Sequence, residues 1–289
     1  MGTYSRLDPA FIAGSKGSLF ALHHAPEHTP EKVSDSTECI VAIPSFAEEM
    51  NRCRYMQTLL AQALNKQGHA LVSVDPYGTG DSSGDFAEAS WDQWIQDTID
   101  ATHYAKQLGY KKISLLAVRL GALLAMAAAP EIENLHRMIF WQPVTNGKTF
   151  LNQFLRIKIA ASMGRDEKAE TTAHLEELIK SGQNIEVTGY DVSPELFSGI
   201  QAAHYSNHLD HLSCPLSWFT VLASEERKTP RGDLQAMEKW QEQGVEINHQ
   251  TVIGPAFWQA HERTLTPELI TATMNDITMN QPNGSTPHE

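Results

Sequence analysis

Basic residues are scarce in this 289-residue chain: 22 Lys and Arg stand against 35 Asp and Glu, a formal net charge of −13 at pH 7. That balance repels phosphate backbones and anionic headgroups, so neither nucleic acid nor an acidic membrane surface is expected as a partner. Cysteine is scarcer still. Cys39, Cys53 and Cys214 are odd in number, far apart and outside any C-x-x-C spacing. Neither a disulfide framework nor a zinc knuckle is expected, and a reducing cytoplasm suits the chain best. No run approaches the roughly 18 continuous apolar residues of a membrane helix, and the first residues lack a basic start followed by an apolar stretch, so no export or anchoring is expected. The Gly-rich stretch from Asp75 to Asp85 lacks the Lys-Ser/Thr of a P-loop and the G-x-G-x-x-G spacing of a dinucleotide fold, and it is expected to form tight turns instead. No cofactor and no metal are expected.

A hydrophobic content of 41% suffices for one large core. The pattern opens with a β-hairpin over 11–25 and continues with the short apolar run Cys39-Ile40-Val41-Ala42-Ile43, of the kind buried on both faces of a parallel sheet. Helix 51–67, strand 70–74, helix 91–108, strand 113–118, helix 120–129 and strand 138–141 follow in alternation. The βαβ repetition predicts an α/β protein with a mostly parallel central sheet, helices on both faces and ligands beyond the carboxyl ends of the strands. Between 150 and 205 the pattern breaks into helical segments, which predicts an inserted helical cap. Strand 216–222, helix 234–243, strand 246–253 and a last helix over 267–274 complete a single domain spanning 1–279, and the tail 280–289 reads as disordered.

Within this framework, Ile113-Ser114-Leu115-Leu116-Ala117-Val118-Arg119-Leu120-Gly121-Ala122 has the form of a nucleophile elbow: an apolar strand, a sharp turn and an Ala-rich helix. Such a turn needs small residues two before and two after its centre, and Ala117 and Gly121 satisfy that. The centre is Arg119, a five-donor cation with no lone pair to attack a carbonyl. A guanidinium at a helix start could bind a carboxylate or phosphate. Equally, Arg119 could pair internally with Glu48 or Glu49 from the loop after the first parallel strand, the reading that carries more weight.

The order of elements, the elbow and the cap resemble the α/β-hydrolase superfamily over about residues 10 to 275. Four motifs sharpen the resemblance: Pro44-Ser45-Phe46-Ala47-Glu48-Glu49-Met50-Asn51, the run Asp75-Pro76-Tyr77-Gly78-Thr79-Gly80-Asp81-Ser82-Ser83-Gly84-Asp85-Phe86, Arg119-Leu120-Gly121-Ala122 and Trp141-Gln142-Pro143-Val144. Together they resemble the hydrolase-like group called hydrolase 2 of exosortase A systems. That resemblance implies a bacterial setting that pairs a sorting enzyme with exopolysaccharide production. It also implies an oxyanion hole from the loop at Phe46 and Ala47 together with the N–H of Leu120.

A Ser-His-Asp site on this fold runs nucleophile, acid, base along the chain. Glu225 and Glu226 occupy the acid window. In the base window Phe257 stands where a glycine-led turn usually presents histidine, and His261 is one helical turn further on, able to reach the site only if that loop opens as a helix. Water activated by Glu48, Glu49 or His261 is an alternative attacking group, and Ser82, Ser83 and Cys53 are weaker candidate nucleophiles. His204, His208 and His211 beside Asp210 have the spacing of one helical face, which reads more simply as a histidine-rich helix end than as a metal site. Trp91, Trp94 and Trp141 read as core and pocket wall. The expected function is that of a hydrolase acting on ester or acyl bonds of a small-molecule or lipid-linked substrate. The alternative is a non-catalytic accessory protein holding an anionic ligand in the same pocket; an acyltransferase would need the same missing nucleophile.

Overall fold

The computed structural model describes residues 6–26, 33–162, 171–212 and 214–279; the tail 280–289 lies outside the described residues. A hairpin opens the chain, with β1 (Arg6–Ala13) antiparallel to β2 (Ser18–Ala25). The apolar run becomes β3 (Glu38–Ile43), buried throughout. Alternation sends Cys39, Val41 and Ile43 into one core and Ile40 and Ala42 into the other, as a strand covered on both faces requires.

The alternation then proceeds through α1 (Glu48–Lys66), β4 (Ala70–Val74), α2 (Trp91–Gln107), β5 (Lys112–Val118), α3 (Gly121–Ala128) and β6 (Leu135–Trp141), and after an insertion through β9 (Leu216–Leu222), α7 (Arg231–Glu242), β10 (Ile247–Ile253) and α8 (Pro267–Met279). These strands form one sheet in the order β1-β2-β4-β3-β5-β6-β9-β10. The hairpin is antiparallel to β4, and every pairing from β4 to β10 is parallel. Cys53, Met56, Leu60 and Leu64 of α1 lie on one helical face and join Leu269 and Ile277 of α8 over one side of the sheet. Trp91, Trp94, Ala101 and Ala105 of α2, with α3 and Trp240 of α7, cover the other. Each fully buried Met or Leu of α1 contributes about 2 kcal/mol of transfer free energy.

One boundary matters for the site. Helix α1 begins at Glu48 rather than Asn51, so Glu48 and Glu49 belong to its first turn and not to the preceding loop. Free N–H groups and the macrodipole favour carboxylates there.

The insertion between β6 and β9 holds α4 (Gly147–Ser162), α5 (Thr172–Lys180), β7 (Ile185–Val187), β8 (Tyr190–Val192) and α6 (Pro194–Ala202). Among the described residues its regular elements are helical apart from the β7–β8 hairpin, which three-residue strands make illegible as alternation. Its turn is marked by positive φ at Thr188 (51°) and Gly189 (88°), the signature of a tight hairpin. The insertion is anchored at close contacts. A Cβ on Gly147 would stand 1.8 Å from the Ile200 carbonyl oxygen of α6, and one on Gly199 would stand 2.2 Å from the Trp91 Cβ of α2.

Residues Tyr205–His211 form a 3₁₀ stretch broken at His208 (φ −133°) rather than a regular helix. The regular α-helix on which the i, i+4, i+7 spacing of His204, His208 and His211 depends is therefore not formed. The side chains of Asp210 and His211 lie outside the described residues.

Candidate functional site

The β5–α3 turn has elbow geometry. Arg119 sits at φ +55°, in the left-handed region. Its N–H donates to the Trp141 carbonyl (3.1 Å), and its own carbonyl accepts from the N–H groups of Val144 (3.0 Å) and Ala122 (3.1 Å). Gly121 is required by packing: a Cβ there would lie 2.6 Å from the Pro44 carbonyl oxygen and 2.9 Å from that of Ile43. The turn is thus pressed against the end of β3, and Ala117 before it is fully buried. On the facing loop Ala47 also takes a positive φ, 52°. Neither the Phe46 N–H nor the Leu120 N–H has an acceptor among the described residues.

The guanidinium turns to the first turn of α1. Arg119 Nε donates to Glu49 Oε2 at 3.3 Å and Oε1 at 3.4 Å, and Nη2 donates to Oε1 at 3.4 Å. Nη1 donates to the Gln142 carbonyl at 3.4 Å. The two side chains are 12% and 18% exposed. Burial pushes the Glu49 carboxyl above its ordinary value, against the pull of Arg119 and Arg52. The pair is therefore largely desolvated but loosely made, and among the described residues one N–H on each terminal nitrogen of Arg119 is left unclaimed. Glu48 faces elsewhere, accepting from Tyr190 Oη at 3.2 Å and lying 3.6 Å from Arg52 Nε.

Arg119 stands between two cavities. One, of about 600 Å³, is lined by Phe150, Phe154, Ile157, Trp258 and the α1 residues Glu48, Glu49 and Arg52. The other, of about 510 Å³, is bounded by Thr145, Asn146, Thr149, Tyr205, Asp233 and Gln235 among others. Arg119, Phe150 and Gln153 line both.

The residues expected in a triad are not brought together. His261 is exposed on the rim of the 600 Å³ cavity, and the loop that carries it makes turns instead of opening as a helix. Phe257, in the expected histidine place, is buried against Trp141 (ring centroids 6.3 Å apart) and Trp258 (5.1 Å). Glu225 and Glu226 lie on an exposed turn after β9 and line neither cavity; Glu226 accepts from Ser224 Oγ at 2.5 Å. Other candidate nucleophiles hold the fold together. Ser82 Oγ donates to the Asp75 carbonyl (2.5 Å) and accepts from the Phe20 N–H (2.8 Å), while Ser83 Oγ accepts from the Ser18 N–H (3.0 Å). The Cys53 thiol is fully buried, and burial pushes it up to about 12, far from a reactive thiolate. Trp91, Trp94 and Trp141 are core residues that line neither cavity.

Two site residues escaped the sequence reading. Trp258 lies with its ring 5.2 Å from the Arg119 guanidinium carbon, a cation–π contact, and its buried indole N–H has no acceptor among the described residues. Asp233, in the first turn of α7, is 8% exposed and its carboxylate has no hydrogen bond or ion pair among the described residues. Burial pushes it up to about 6, with Arg119 pulling it down. Both lie far from Arg119 along the chain, and no local motif marks either one.

Residues 34–166 match the family model described as serine aminopeptidase, S33, a stretch that includes the elbow and stops before β9. A segment of 79 residues is 34% identical to the human serine hydrolase BPHL; it spans 27% of this chain and 27% of that relative. The solved structure of Est1E from Butyrivibrio proteoclasticus with ferulic acid bound is similar at a TM-score of 0.64 and 20% identity, over 94% of this chain and 98% of that one. A thermostable carboxyl esterase from Bacillus coagulans in complex with glycerol is similar at a TM-score of 0.64 and 12% identity, over 96% and 99%. The chain has the α/β-hydrolase fold.

Proposed function

We propose that this chain, built on the α/β-hydrolase fold, holds a small-molecule or lipid-linked anion in the pocket at its elbow and does not turn over esters through a Ser-His-Asp triad. One observation carries the reading: the position where a serine nucleophile would stand is Arg119, kept in the left-handed turn and ion-paired to Glu49. An arginine with two N–H groups unclaimed among the described residues, flanked by the Trp258 ring at 5.2 Å, offers donors for a carboxylate or phosphate. On the motif resemblance to hydrolase 2 of exosortase A systems, we take the ligand to belong to exopolysaccharide chemistry and the protein to work in the cytoplasm.

The test is a screen of purified protein against short- and long-chain p-nitrophenyl esters, run beside calorimetric titration with inorganic phosphate and acetate. No ester turnover above that of Arg119→Ala and His261→Ala, with anion binding lost when Arg119 is replaced, is the expected result. Turnover abolished by His261→Ala would overturn the reading and restore a hydrolase.

A second reading, ester or acyl hydrolysis by an activated water, is favoured by one specific observation. The Phe46 and Leu120 N–H groups are both without acceptors among the described residues, which is one requirement of an oxyanion hole. In that case His261 or Glu49 would have to activate the water. The serine hydrolase and esterase relatives make this the outcome the ester screen is designed to detect.

A further inference from the structure

Helix α4 changes character along a single face. Asn146 just before it, Thr149, Phe150 and Gln153 recur at helical spacing and line the 510 Å³ cavity; Phe150, Gln153, Phe154 and Ile157 recur at the same spacing and line the 600 Å³ cavity. One stripe therefore runs from amide and hydroxyl groups to aromatic and aliphatic ones, and the change falls at the residues that share both cavities with Arg119. The far walls follow the division in part. Thr145, Tyr205 and Gln235 add hydrogen-bonding groups to the first cavity, and the Trp258 ring adds an apolar surface to the second, whose wall also includes the charged first turns of α1 at Glu48, Glu49 and Arg52.

We infer that the two cavities receive the two ends of one amphiphilic anion: an apolar chain among Phe154, Ile157 and Trp258, an anionic junction at Arg119, and a polyhydroxylated head beside Thr145, Asn146 and Thr149. A ligand with only a chain would leave the polar cavity to water. A sugar phosphate alone would leave the apolar one unfilled. Asp233 adds direction, because a second anionic group placed in the polar cavity would meet its carboxylate. The head is thus neutral or cationic, and the negative charge sits at the junction. This inference rests on the anion reading of Arg119 given above.

The experiment uses full-length protein and calorimetric titration with dodecyl phosphate, kept below its micelle concentration, and with glucose 1-phosphate. Ile157→Asp introduces a charge into the apolar cavity, and Thr149→Trp fills the polar one; both positions are exposed, so the fold tolerates them. Arg119→Met combined with Glu49→Gln removes both charges of the pair and leaves no orphaned carboxylate. Ile157→Asp is expected to weaken dodecyl phosphate about tenfold and leave glucose 1-phosphate within twofold, Thr149→Trp to do the reverse, and the double variant to weaken both.

Two probes that respond alike to the cavity variants, or to neither, while the double variant abolishes both, would overturn the two-cavity inference and leave the anion reading standing. Binding of both probes that survives the double variant, or no binding to the unmodified protein at millimolar concentration, would overturn both.

Discussion

Holding Arg119 at φ +55° costs on the order of 1–2 kcal/mol, and no hydroxyl is there to make use of the turn. The backbone holds the conformation regardless, through the hydrogen bonds to Trp141 and Val144 and the close approach of Gly121 to Pro44. A serine placed at this position would therefore occupy the centre of the turn without a histidine beside it. Arg119→Ser is expected to give no ester turnover above background, because Phe257 fills the histidine place and His261 is out on the rim; robust p-nitrophenyl ester hydrolysis by that variant would refute this account of the base loop. Asp233 contributes a pH dependence at the site. Its carboxyl is raised from 3.8 to about 6 by burial, so its contribution to stability is fully present below pH 3.8 and is lost as pH rises through about 6. Asp233→Asn removes the cost of the buried charge. After allowance for its partial solvent exposure, the variant is expected to be about 1–2 kcal/mol more stable than the parent at pH 8 and indistinguishable from it near pH 3.5. Denaturant midpoints at the two pH values measure this, and an equal gain at both would sink it.

Among the elements, α4 carries the site. Its residues line both cavities, and its start is pinned to α6 by Gly147, where an added Cβ would meet the Ile200 backbone oxygen at 1.8 Å. Backbone cannot yield as a flexible side chain can. Gly147→Ala is expected to cost about 3 kcal/mol and to weaken anion binding with it, as α4 lifts from its seat. Gly232→Ala, where an added Cβ meets nothing within 4 Å, is the control and should leave the melting temperature unchanged or slightly raised. A melting curve for Gly147→Ala that overlays the parent would show that α4 is not seated in this way. The same scale explains a miss in the sequence reading. Strands of three residues show no period, so β7 and β8 could not be told from the helical segments around them, and only the Gly189 turn signalled the hairpin.

For the whole molecule, the sheet separates two cores, and the three cysteines are divided between them. Cys39 and Cys214 join one core and Cys53 the other. All three thiols are buried and free, and burial pushes Cys53 up to about 12 and Cys214 up to about 11. Their reaction with a thiol reagent thus reports opening of the fold: none should be modified in minutes at pH 8, and all three should be once denaturant unfolds the chain. Rapid labelling of one thiol in the folded protein would locate a region that opens locally. The architecture itself was legible in the sequence, because continuous apolar runs such as Cys39 to Ile43 and Ile113 to Val118 can be buried on both faces only in a helix-covered parallel sheet. The elbow was legible too, since Ala117 and Gly121 answer a local steric demand. The choice between Glu48 and Glu49 was not. Adjacent residues on a helix point about 100° apart, and only the direction in which α1 leaves β3 turns Glu49 toward Arg119 and Glu48 toward Tyr190. Trp258, Asp233 and the two cavities were invisible for the same reason: they arise where distant segments meet. The sequence by itself determined the scaffold and the arginine at its strand-to-helix turn, through local periodicity and sterics, whereas the surroundings of Arg119 were decided by long-range packing that no short window of the chain contains.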